Sequence, residues 1–134
     1  MTDLDTFRQL GEGRLPGLIG IEVEEIKAGR VRMRLPLRDE LLAPNGYLHA
    51  GTVVALADSS CGYGCIASLP DGATGFTTIE LKTNFLGTAL EGTLSCESTL
   101  AHGGRTTQVW DATVTDESGK TLALFRCTQL LLYR

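Results

Sequence analysis

A chain of 134 residues has room for one hydrophobic core and not for two, so a single domain, 1–134, is predicted. Its formal net charge of −4 and pI near 5.1 exclude the basic footprint of a nucleic-acid binder and the cationic face of a membrane-surface protein. No signal-peptide pattern and no apolar run of bilayer length occurs, which predicts a soluble, cytoplasmic protein.

The chain opens on a short helix, Thr2 to Leu10, with Thr2 or Asp3 as N-cap and an end at Gly11 and Gly13. This N-terminal helical segment, within 1–20, docks on the rest and does not form its core. From Ile21 the period changes to two. Ile21 and Val23 alternate with Glu22 and Glu24; Val31, Met33, Leu35 and Leu37 alternate with Arg30, Arg32, Arg34 and Pro36; and Ala28-Gly29 lies between the runs. The pattern predicts an antiparallel hairpin with one wet face, on which Glu and Arg pair across the strands.

A loop from Arg38 to Leu48, with Pro44, Asn45 and Gly46, then feeds a helix over Thr52–Ala67. That helix is Val, Ala, Leu, Ile, Cys and Gly on nearly every side, so it is buried almost all round. Asp58 is the exception. A carboxylate in such surroundings loses hydration and is either paired or pushed to a raised pKa, which makes it the first candidate for chemistry. The free N–H groups where the loop enters the helix can bind an anion or polarise a carbonyl. Cys61, Cys65, Cys96 and Cys127 fit neither a zinc ribbon nor a Cys-x-x-Cys redox pair, so they are expected as small buried hydrophobes in a reducing compartment, with no metal or redox cofactor.

Leu69-Pro70-Asp71-Gly72 breaks the helix. Four strands are predicted after it, Phe76–Leu86, Gly92–Ala101, Thr106–Thr115 and Lys120–Tyr133. His102-Gly103-Gly104-Arg105 and Asp116-Glu117-Ser118-Gly119 are the turns before and after the third. The expectation is an α+β fold, one long helix wrapped by a mostly antiparallel sheet in which these four strands each neighbour the next.

These residues resemble a known family, the hotdog-fold acyl-CoA thioesterases, in the branch of the phenylacetate-degradation and 4-hydroxybenzoyl-CoA enzymes. The resemblance rests on Asn45, Gly46, His49 and Gly51 leading into Leu56-Ala57-Asp58, and extends to Asn84-Phe85-Leu86 and Gly103-Gly104-Arg105. It implies hydrolysis of an acyl-CoA carrying a small or aromatic acyl group, with the site at the interface of a homodimer, commonly within a homotetramer. It further implies Asp58 as nucleophile or general base, the Ala50 N–H as the donor to the thioester oxygen, and Asn45 as the residue that positions thioester or water. His49 is implied as the residue that orders the loop. Gly51, Lys82, Asn84, Phe85, Gly103, Gly104 and Arg105 are the implied substrate-binding positions, with Lys82 and Arg105 toward the coenzyme A phosphates; Tyr47, Tyr63 and Phe85 are candidates for the acyl pocket.

Two positions depart from the family pattern. Ala50 stands where Gly is usual, so its methyl narrows the approach of the acyl group. Gly62 stands where the aromatic-substrate relatives often carry Ser or Thr, which leaves Ser59, Ser60 or a water to steer the carboxylate.

Thioester hydrolysis needs an activated oxygen and a donor placed where negative charge develops, and coenzyme A thiolate leaves without a His acid. The competing readings are a non-catalytic acyl-CoA-binding protein of the same fold, a hydratase, and a β-rich ligand module with an incidental helix. Each residue also has a plain structural alternative: Asp58 as a bridging carboxylate, Asn45 as ordinary Asn-Gly turn chemistry, Phe85 as core, and Tyr63 as packing at the helix end.

Overall fold

The computed structural model describes residues 3–134. Helix α1, Leu4–Leu10, is capped by Asp3, whose side chain accepts the Asp5 N–H; Thr2 lies outside the described residues. Gly11 ends it, and a second helix missed in the sequence, α2, covers Leu15–Ile19. Gly17 must be glycine there, because a Cβ would lie 2.2 Å from the Gly11 carbonyl oxygen. Arg38 holds the far end of α2 by donating from Nη1 to the Ile19 carbonyl at 2.8 Å and from Nη2 to Leu18 at 2.9 Å.

Strands β1 (Glu22–Lys27) and β2 (Arg30–Pro36) form the expected hairpin, with Gly29 at φ 80° in the turn. A bulge between Val23 and Glu25 breaks strict alternation, which is why Ile26 and not Glu25 joins Val23 in the core. The outer face is ion-paired as its pattern implies: Glu22 with Arg34 at 3.2 Å, and Arg30 with Glu25 at 3.0 Å and Glu97 at 2.7 Å.

The long helix α3 spans Ala50–Ala67, two residues earlier than its hydrophobic run suggests, because the polar cap precedes the apolar stretch. Its small residues are sites of close approach. A Cβ on Gly64 would lie 2.5 Å from the fully buried Trp110 ring, and one on Gly62 3.1 Å from the Phe76 ring. Several buried polar groups are paired: Ser98 donates to Ser60 at 2.6 Å, and the Trp110 indole donates to Gln108 at 2.7 Å, whose amide donates to the Ser68 carbonyl at 2.9 Å; the buried Thr83 hydroxyl finds no partner among the described residues. The four cysteines are free and buried.

After α3 come β3 (Ala73–Phe85), β4 (Thr93–Gly103), β5 (Thr107–Thr115) and β6 (Thr121–Tyr133). They complete one antiparallel sheet of order β1-β2-β4-β5-β6-β3. The expected order is corrected in one respect: β3 does not neighbour β4. The edge of β4 that would receive it is taken by β2, from Arg30↔Thr99 to Pro36↔Thr93, so β3 crosses to the far side and pairs with β6. Alternation fixes which face of a strand is apolar, not which strand lies beside it. Among the described residues no helix is long and apolar enough to cross a membrane.

Candidate active site

The loop before α3 is held on both sides. Leu42 bridges Leu48, the Ala43 N–H donates to the Tyr47 carbonyl at 2.7 Å, and the Leu48 N–H donates to the Thr88 hydroxyl at 3.0 Å. At its tip Asn45 is exposed and accepts the Tyr47 N–H through Oδ1 at 3.2 Å, while Gly46 takes φ 88°. Asn45 therefore does the work of an Asn-Gly turn within this chain, with its amide nitrogen left open to solvent.

His49 caps the helix. Its Nδ1 accepts the Gly51 N–H at 2.7 Å, and its carbonyl accepts from Thr52 at 3.0 Å and Val53 at 3.3 Å. Gly51 makes room for that ring, since a Cβ would lie 2.9 Å from Nδ1. With three first-turn donors used, the Ala50 N–H is the one that finds no acceptor among the described residues, and it sits exposed at the positive end of the helix.

Asp58 lies half-buried on α3, between the half-buried Val54, Ala55 and Ser59. Burial pushes its carboxyl above the ordinary value of 3.8, and the Thr78 hydroxyl, 3.4 Å from Oδ1, opposes that rise. No ion pair reaches it among the described residues. The hydroxyl neighbour thus comes from β3, and neither Ser59 nor Ser60 supplies it: Ser60 is fully buried and bonded to Ser98. Thr78 was missed because nothing in a linear sequence sets the register of β3 against α3. The neighbouring thiols are no rivals as nucleophiles. Burial raises Cys61 well above its ordinary value, Cys65 to about 12 and Cys96 to about 11, so all stay protonated.

Other candidates lie apart within one chain. Ala50 and Asp58 are eight residues apart on one helix, about 12 Å along its axis. The Gly103-Gly104-Arg105 turn is at the opposite end, beyond Ser68, where the Tyr133 hydroxyl donates to the Arg105 carbonyl. Lys82 and Asn84 pair across from Arg126 and Leu124 on the outer face of the sheet, whereas Phe85, opposite Ala123, is on the helix-facing side yet 49% exposed. Tyr63 turns away from Asp58 and packs on Phe7 with ring centroids 5.8 Å apart. It lines a cleft of about 600 Å³ with Arg8, Ile21 and Arg34, a cleft that none of Ala50, Asp58 and Asn45 borders. Tyr47 and His102 are exposed. Among the described residues no three His, Cys, Asp or Glu side chains are grouped to hold a metal ion.

Residues 45–123, which hold the loop, the helix and most of the sheet, match the family model of the thioesterase superfamily. The chain belongs to the thioesterase superfamily. It is 33% identical over 110 residues to the 1,4-dihydroxy-2-naphthoyl-CoA hydrolase of Listeria monocytogenes, covering 82% of this chain and 89% of that one. The crystal structure of a mutant thioesterase, PA1618 of Pseudomonas aeruginosa, superposes with a TM-score of 0.94 at 25% identity over 100% of this chain and 96% of that one. A Streptococcus pneumoniae protein described as a hypothetical thioesterase with coenzyme A has the same fold, with a TM-score of 0.83 at 22% identity over 98% of each chain. This member of the superfamily is accordingly a thioester hydrolase on the hotdog fold, and the wrapped helix is the hotdog's core.

Proposed function

We propose that the protein hydrolyses acyl-CoA thioesters with a small or aromatic acyl group, using Asp58 as the working carboxylate. The observation that carries this reading is an under-solvated carboxylate with no cationic partner among the described residues, on a helix whose first free N–H is also unspent there. Direct attack on the thioester carbonyl and deprotonation of a water make the same demand on Asp58: it must be ionised and basic. The Ala50 N–H receives the developing oxyanion, a contribution of about 2.7–4 kcal/mol for one such donor. An aromatic acyl group is supported by the name of the Listeria relative, and a small one by the narrowing that the Ala50 methyl imposes; coenzyme A is supported by that same name and by the Streptococcus structure.

Two residues about 12 Å apart along one helix axis are poorly placed to serve one carbonyl together, so the site is completed by a second copy of the chain. In a homodimer with antiparallel α3 helices, Ala50 of one copy meets Asp58 of the other, and Asn45 at the loop tip is free to reach across. The exposed Ile79, Leu81 and Phe85 on β3 support that interface, and a second apolar set on the outer face, Leu124, Leu130 and Leu132, supports pairing of dimers into a homotetramer. Lys82, Asn84 and Arg105 then serve the coenzyme A moiety, Gly103 and Gly104 shape its turn, and the work is done in the cytoplasm.

The test is thiol release from a panel of short, long and aromatic acyl-CoAs by the wild type and by Asp58→Asn. Loss of on the order of 10²–10⁴-fold in turnover, with oligomeric state unchanged, is expected. Activity that survives the substitution ends the reading. Stability adds a second readout with a definite sign. Because the folded carboxyl titrates above 3.8, ionisation of Asp58 costs stability as pH rises through its folded value, so Asp58→Asn should raise Tm at neutral pH. That advantage disappears at acid pH, where both side chains are neutral.

A further inference from the structure

Thr78 has two neighbours and one hydroxyl proton. Its Oγ1 is 2.7 Å from Oε1 of Gln129 and 3.4 Å from Oδ1 of Asp58. The short contact takes the proton; the long one is left with a weak share of it. Gln129 is fully buried on β6, directly opposite Thr78 in the β3–β6 register, and among the described residues its amide nitrogen has only the Cys127 sulfur, at 3.4 Å, as partner.

We propose that Gln129 and Thr78 form a relay that positions Asp58, with Gln129 holding the Thr78 proton away from the resting carboxylate and so keeping that carboxylate basic. Thr78 and Gln129 are positioning residues; the relay rests on Asp58 being the catalytic carboxylate only for its effect on turnover, not for its effect on Asp58 itself. The charged groups nearby do not provide another cause. Glu80 and Lys82 on β3 and Arg126 on β6 share the outer face of the sheet, with Arg126 bonded to Asp111 at 2.6 Å; Cys61 and Cys65 on α3 and Cys127 on β6 are buried thiols; and Tyr63 on α3 turns to Phe7. Within one chain, burial and Thr78 are the two influences on the Asp58 carboxyl.

The relay makes predictions of opposite sign. Thr78→Val removes the residual donation, so Asp58 should titrate about 0.5–1 pH unit higher. Gln129→Leu frees the Thr78 proton to turn to Asp58, so titration should fall by a similar amount, about 0.5–1 unit. In the Thr78→Val background Gln129→Leu should do nothing further, because Gln129 acts only through the hydroxyl. Thr78→Ser should return the wild-type value.

The experiment is a carbon-13 titration of aspartate-labelled full-length protein, with the Asp58 resonance assigned by its loss in Asp58→Asn, alongside the acid limb of kcat/KM for benzoyl-CoA. Gln129→Met, unbranched and unable to accept the proton as the amide does, replaces Gln129→Leu if that variant folds poorly. Opposite shifts that vanish in the double variant establish the relay. Shifts of the same sign, no shift with Gln129→Leu, or additive shifts overturn it. Turnover retained by Asp58→Asn would end the catalytic reading alone, since the carbon-13 titration still decides the relay.

Discussion

The two edges of the sheet have been finished differently. At the β1 edge, α1 lies over the strand: Phe7 is buried against Tyr63, and the Arg8 Nε–H donates to the edge carbonyl of Val23 at 3.3 Å. Behind that edge Val31, Met33 and Leu35 are 0% exposed. At the β3 edge no second helix among the described residues plays the part of α1. Ile79, Leu81 and Phe85 stay 56%, 42% and 49% exposed on a strand of 13 residues. Both edges read as alternating apolar and polar residues, yet one is sealed and the other is open. A helix about 10 Å across covers a limited width of strands spaced about 4.8 Å apart; α3 reaches β3 at Phe76 and Thr78 and leaves Ile79, Leu81 and Phe85 uncovered. An apolar face records that something covers it, and only the fold tells whether the cover is in the same chain.

The largest expected effect is at the open edge. On the proposed assembly, Leu81→Arg puts a charge where a second copy must pack, and it should abolish both the dimer and, through the loss of the shared site, on the order of 10²-fold or more of turnover. Light scattering and thiol release read the two together. A Leu81→Arg protein that kept its assembly and its activity would show that the β3 edge is not the interface. At the sealed edge the loss should be of another kind. Phe7→Ala leaves a cavity under α1 and should cost about 3 kcal/mol in denaturant unfolding, with turnover retained wherever the protein is folded. If Phe7→Ala removed activity at full stability, α1 would belong to the site, and the contrast between a structural and a functional edge would be lost.

The same contrast explains what was readable in advance. The hairpin of Glu22–Pro36, the α3 helix and Asp58 as its odd residue were legible because each is a local pattern: period two, a continuous apolar run, one charge within it. The position of β3 was not, since Thr78 to Phe85 carries a strand pattern that any neighbour could satisfy. Thr78 and Gln129 are 51 residues apart and meet only through that pairing, so the relay beneath Asp58 was invisible for the same reason. Helix α2 was missed because a five-residue helix with a Pro in its first turn, one glycine inside it and another at its C-cap carries no periodicity; its far end is held by Arg38 from elsewhere in the chain. The role of Gly51 could be read only as part of a motif until the His49 ring was seen to lie against it.

The smallest effect belongs to the wet face of the sealed edge, and its smallness is itself a test. Glu22 and Arg34 pair at 3.2 Å with both side chains about half exposed, the kind of contact that salt and solvent weaken. Glu22→Ala should cost about 0.5 kcal/mol or less in urea unfolding, and 0.5 M salt should erase the difference. The sealing of this edge is attributed to Phe7, Val23 and the three fully buried side chains of β2, so the ion pairs above them have little left to hold. A loss of several kcal/mol from Glu22→Ala would reverse that assignment: charge pairing, and not apolar cover, would then be what distinguishes the closed edge from the open one.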